Sequence, residues 1–95
     1  MTAYCIFQVD VTDPEQYEKY KAAVSPSIKA AGGDYLVRGG AVEVLEGDPD
    51  ARRMVILEFP TVAAAKAWWD SAEYAEIKKL RAGAGTMDGL VVEGL

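Results

Sequence analysis

The sequence predicts an α+β domain of the ferredoxin-like kind, a split β-α-β with the order βαββαβ. In that fold a four-stranded antiparallel sheet carries its helices on one face. Three observations predict it. Runs rich in aromatic and β-branched residues alternate with segments that open on helix caps. The side chains of the predicted strands sort into one apolar set and one mixed set. The chain has 95 residues, about half of them hydrophobic, which suits a single domain over residues 1–95 with a modest core.

The elements follow in order. Ala3–Val11 reads AYCIFQVDV and is a strand by composition. Thr12 or Asp13 then caps a helix, Pro14 suits its first turn, and Glu15 favours the positive end of its dipole. Tyr17, Tyr20, Val24, Ile28 and Ala31 recur at helical steps and form one apolar face. Pro26 removes a backbone donor, so the helix is expected to kink near Val24 or to restart with Ser25 as a new cap, and Gly32-Gly33 ends it. Asp34–Arg38 is the second strand, and Ala41–Glu46 continues it or begins another. A turn at Gly47–Asp50 leads to a strand over Arg53–Phe59, which Pro60 stops. Thr61 caps a short helix to Trp69, and the Asp70–Glu73 stretch opens a further one from Ala72 to about Ala82. Gly83–Gly89 reads as loose chain before a last short strand at Leu90–Glu93.

Side chains alternate across a strand, so each strand divides between two sheet faces. Cys5, Phe7, Val9 and Val11, with Tyr35 and Val37 and with Val55, Leu57 and Phe59, make an apolar face expected under the helices. The opposite set holds Tyr4, Ile6, Leu36, Met54 and Ile56, together with Gln8, Asp10, Arg38 and Glu58. That face is too apolar to be left in water, and two helices cannot cover both sides, so a second copy of the chain is the expected cover. A homodimer through the sheet face follows.

The same sorting puts Arg38 beside Gln8 and Glu58 on the partner-facing side. If Glu58 opposes Gly40 across the second and third strands, Arg38 and Glu58 are diagonal neighbours whose side chains meet. Gly39-Gly40 then bends the strand beside the site, or forms a tight turn that leaves Arg38 in place. Arg38 could hold a carboxylate or enolate oxygen, and Glu58 could move a proton if desolvated. The competing reading is a structural network that fixes the dimer's register. Tyr17 is the tyrosine best placed to reach a cleft between helix and sheet. Of Trp68 and Trp69, one packs on the sheet and the other covers a cavity mouth. The candidate ligand-binding residues are thus Gln8, Tyr17, Arg38, Glu58 and Trp68, with no catalytic residue assigned. Cys5 reads as a small buried apolar residue, and Lys78, Lys79 and Arg81 as a solvated helix face partnered by Glu73 and Glu76.

Composition narrows the function. Net charge is −5 and the pI about 4.6, which argues against nucleic acid or an anionic membrane as partner. Cys5 is the single cysteine, so no intrachain disulfide forms, in keeping with a cytoplasmic location. The N-terminus lacks the pattern of a signal peptide. There is no histidine, which removes histidine-ligated haem, most catalytic zinc sites and a histidine base. No acidic cluster has metal-ligand spacing, so neither metal nor cofactor is expected.

The blocks DPEQYEKY, GGDYLVRGG, EVLEGD and EFPTVAAAKAWWDSAEY, in that order, resemble the domain-of-unknown-function family 1330 of the dimeric α+β barrel superfamily. The sequence departs from the family pattern at Trp69, Ala72 and Pro49, where a tyrosine, a proline and a tryptophan are usual. The resemblance implies two ferredoxin-like sheets facing each other across a dimer. Its superfamily includes cofactor-free monooxygenases, lactone isomerases, haem enzymes and ligand-binding proteins. The expectation is a small homodimeric protein with a small-molecule pocket. It would be either a cofactor-free enzyme acting on a small acidic or aromatic compound, or a non-catalytic binding or interaction module whose polar residues set the dimer geometry.

Overall fold

A computed structural model describes all residues, Met1–Leu95. The elements are β1 (Ala3–Val11), α1 (Pro14–Ala30), β2 (Asp34–Arg38), β3 (Arg53–Phe59), α2 (Val62–Trp69), α3 (Ala72–Lys78), a single 3₁₀ turn (Lys79–Arg81) and β4 (Gly85–Glu93). The strands form one antiparallel sheet in the order β2-β3-β1-β4. This is the ferredoxin-like arrangement the sequence predicts.

Three caps work as expected. The Asp13 carboxylate accepts from the Gln16 amide, the Thr61 hydroxyl from Ala64, and the Ser71 hydroxyl from Tyr74. Each satisfies a backbone donor that the helix start leaves free, which stabilises the helix by about 1 kcal/mol. Pro26 does not end α1. The helix runs through it as one element, and the Ser25 hydroxyl donates back to the Lys21 carbonyl instead of capping a new start.

The core lies between the helices and the predicted apolar face. Cys5, Phe7, Val9, Leu57 and Phe59 meet Tyr17, Tyr20 and Ile28 of α1, Trp68 of α2 and Tyr74 of α3. Leu57 and Phe59 are almost wholly buried, and each such side chain contributes about 1.5–3 kcal/mol. Trp68 is the hub. Its ring lies 4.5 Å from Tyr74 and 5.6 Å from Phe59. Its indole N–H donates to the Ser27 hydroxyl, which donates to the Val24 carbonyl.

The last strand is longer than expected. Residues 83–89 read as loose because of their glycines, yet β4 begins at Gly85 and pairs with β1 along its whole length. The glycines are there for space. A Cβ at Gly85 would strike the Asp10 carbonyl, and one at Gly89 would strike the Phe7 ring. Conversely, Ala41–Glu46 is not a strand. Residues 41–51 form an exposed arm without regular structure, with Leu45 fully in solvent.

The molecule measures 16 Å in its short direction, one sheet plus one helical layer. The sheet face away from the helices is therefore uncovered. Tyr4, Ile6 and Ile56 lie there half-buried, beside exposed Leu90 and Val92 of β4.

Candidate functional site

The predicted Arg38–Glu58 pair does not form. Asp34, not Gly40, opposes Glu58, and a bulge at Leu36 places Tyr35 opposite Leu57 but Val37 opposite Ile56. The extra residue reverses the alternation beyond it. Arg38 consequently falls opposite Val55 on the helix side, whereas Glu58 stays on the open face with Tyr4. Val37 makes the reverse exchange and joins the open face. Arg38 is exposed, lies over the Tyr35 ring at 4.6 Å and donates to the Ser25 hydroxyl. Gly39 explains the glycine pair. It adopts φ +75°, its N–H donates to the Met54 carbonyl, and a Cβ there would come within 2.6 Å of the Arg53 side chain.

A different polar cluster occupies one end of the open face. Arg52 donates to Asp50 at 2.8 Å, Asp88 at 2.6 Å and Asp10 at 3.2 Å. Gln8 joins it through a bond from its side-chain amide to the Asp50 carbonyl. The hydrogen bonds from Arg52 hold the Asp50 carboxyl below its usual range, and the three carboxylates stabilise the charged guanidinium in turn. Strand alternation points to Gln8 and Asp10 as open-face residues. Arg52 and Asp50 lie just outside the predicted strand, and no pattern in the sequence links them to Asp88.

Two clefts open on the helix side. The smaller gathers Tyr17, Arg38 and Trp68 with Arg53 and Tyr35, but its volume of about 30 Å³ holds no more than one or two waters. Tyr17 keeps its proton at neutral pH, because burial raises its pKa more than Arg53 and Arg81 lower it. Burial likewise raises the Cys5 thiol, so it is not a ready nucleophile.

The larger cleft lies between α2–α3 and the β1–β4 pair and measures about 510 Å³, within the range of small-molecule sites. Gly89 and Val91 lie along its strand side, and Phe7, Trp68 and Trp69 form aromatic walls. Phe7 and Trp69 stack at 5.8 Å, so the wall is a rigid aromatic surface. Lys66, Lys78 and Arg81 supply positive charge. Trp68 borders both clefts. It is the one sequence-predicted site residue at the larger cleft. Gln8 and Glu58 sit across the sheet from it.

Arg81 departs from the solvated face expected of it, whereas Lys78 and Lys79 are exposed as expected. Lys79 alone pairs with Glu76, while Lys78 folds over the Trp69 ring at 4.6 Å and Arg81 lies half-buried near the Tyr20 ring at 5.7 Å. The one signal for them in the sequence is the spacing of Lys78 and Arg81, three residues apart.

A sheet clad on one side by helices, its other side bare, and a cleft beneath the helical layer define a ferredoxin-like α+β protein. The chain belongs to the family described as domain of unknown function, DUF1330, which matches residues 2–95. Among solved structures it is similar to RPA0582, a protein of unknown function from Rhodopseudomonas palustris, at 22% identity and TM-score 0.73, covering 99% of this chain and 82% of that one. It is also similar to SnoaB, a cofactor-independent oxygenase from Streptomyces nogalater, at 14% identity and TM-score 0.63, covering 99% and 91%. A dimeric ferredoxin-like protein of unknown function from Jannaschia sp. CCS1 matches at 9% identity and TM-score 0.64, covering 99% and 100%. No curated protein matches the chain. At these identities the structural likeness carries the fold.

Proposed function

We propose that the chain acts as a homodimer joined through its open sheet face, and that each subunit binds a small aromatic compound in the larger helix-side cleft and transforms it without a cofactor. The observation that carries this reading is the cleft of about 510 Å³ walled by Phe7, Trp68 and Trp69. A planar ring can bury most of its surface against such walls. The similarity to SnoaB, a cofactor-independent oxygenase, and to a dimeric ferredoxin-like protein supports both halves of the reading.

The second reading, a binding module whose polar residues set dimer geometry, has one observation in its favour. The Arg52 cluster with Asp10, Asp50 and Asp88 sits on the open face, where a second copy would meet it. Arg38 is not part of that cluster.

A cavity-filling variant tests the cleft. Val91→Trp places an indole in the space that a ligand would use. Naphthols and naphthoates are expected to raise the thermal midpoint of the wild type and to leave that of folded Val91→Trp unchanged. Oxygen uptake with 1,4-dihydroxynaphthalene, above the spontaneous rate, is expected of the wild type alone. Equal shifts in both proteins would refute the cleft. Binding without turnover would favour the module.

A further inference from the structure

The larger cleft has a charge at odds with the rest of the chain. The protein carries 15 acidic and 10 basic residues, yet the cleft is lined by the three cations Lys66, Lys78 and Arg81 and by one carboxylate, Asp70. None of the three cations has a carboxylate within ion-pair distance; of the seven basic residues elsewhere, Lys21, Lys29, Arg52 and Lys79 are paired and Lys19, Arg38 and Arg53 are not. The Arg81 Nε is sealed from solvent, and so from the open cleft, and has no hydrogen-bond acceptor in the protein, so a ligand reaches it only if the side chain turns. A buried guanidinium N–H without an acceptor is costly, and native proteins seldom leave one so. Glu76 of the neighbouring helix is engaged with Lys79, and neither it nor Glu73 lies within ion-pair distance of Arg81. Lys78 is held by its stacking on Trp69, on the same wall as the aromatic surface.

We propose that the ligand of this cleft is an aromatic anion, its ring against Phe7 and Trp69 and its carboxylate or phenolate oxygen on the side of Arg81 and Lys78. This rests on the reading of the cleft as the ligand site and adds to it the charge of the ligand and the residues that select it. A guanidinium offers paired donors to a carboxylate, and hydrogen bonds between ions are about twice as strong as neutral ones. The aromatic wall beside them adds ring contact to the charge pair. Cationic and neutral aromatic compounds of the same shape would lose the charge pair.

The test compares two probes of one shape, 2-naphthoate and the neutral 2-naphthamide, by calorimetric titration of the full chain. The wild type is expected to bind the naphthoate about tenfold more tightly or better, the worth of one charge-assisted contact. Arg81→Met should bring the two probes to within about threefold, chiefly by weakening the naphthoate. Arg81→Lys should restore part of the difference. Lys78→Gln, at an exposed side chain, gives the same comparison if Arg81→Met does not fold. Equal affinity for the two probes in the wild type, or an undiminished preference in both Arg81→Met and Lys78→Gln, overturns the anion assignment and leaves the cleft standing. Failure of the wild type to bind either probe overturns the cleft and the assignment together.

Discussion

Tyr20 and Tyr74 show how single side chains fix this core. Their hydroxyls lie 2.9 Å apart, buried between α1 and α3, and each is the other's partner. Desolvation, followed by the neighbouring Tyr74, pushes the Tyr20 hydroxyl well above the ordinary tyrosine range. Tyr20→Phe leaves the Tyr74 hydroxyl buried and unpaired, a cost of about 1–3 kcal/mol. Removing both hydroxyls should cost less than the two single changes summed, because neither polar group is then stranded. Urea denaturation of the two single variants and the double variant checks this, and strict additivity would contradict the pairing. The helical spacing of Tyr17, Tyr20 and Val24 made the α1 side of this core legible in the sequence. The Tyr74 partner was not, because a contact between helices more than fifty residues apart leaves no local pattern.

At the scale of elements, the strands and helix starts could be read because alternation and caps are local. The main misplacement came from one residue. The bulge at Leu36 moved Arg38 from the open face to the helix side and separated it from Glu58. No feature of DYLVR marks which residue bulges, since register depends on the partner strand. The β4 start was missed for a related reason. Gly85 and Gly89 resemble a flexible stretch, but they serve close approach to β1 and Phe7. Arg52 ties the base of the arm to two strands through Asp50, Asp10 and Asp88, which predicts a pH signature. The Asp50 carboxyl is depressed in the folded state. Below the ordinary aspartate pKa of about 4, the unfolded chain takes up a proton that the folded chain still refuses. The stabilisation is therefore complete above about pH 5 and is lost as the pH falls through the depressed folded value. The stability difference between wild type and Arg52→Ala should be constant from about pH 5 to 8 and shrink below about pH 4. A difference that grows on acidification would contradict it.

At the scale of the whole molecule, the division of the sheet into a helix-covered face and a bare one was legible from residue alternation. The cleft was not, because it lies between residues from five separate elements. The bare face carries Tyr4, Ile6, Ile56, Leu90 and Val92 side by side, a patch of the kind that soluble monomers seldom leave open. The wild type should therefore sediment as a dimer at micromolar concentration, and Ile6→Asp should shift it to a monomer of unchanged helix content. A wild-type monomer would refute the association. The arm at residues 41–51 then gains a use as a reporter. It holds no lysine, and its one arginine-free stretch from Gly39 to Ala51 offers nothing to trypsin, whereas Glu43 and Glu46 are open to a glutamate-specific protease. An unshielded loop of this kind is clipped at a rate indifferent to protein concentration. If the second subunit shelters it, digestion will slow as the solution is concentrated, and the cleavage rate becomes a direct readout of assembly.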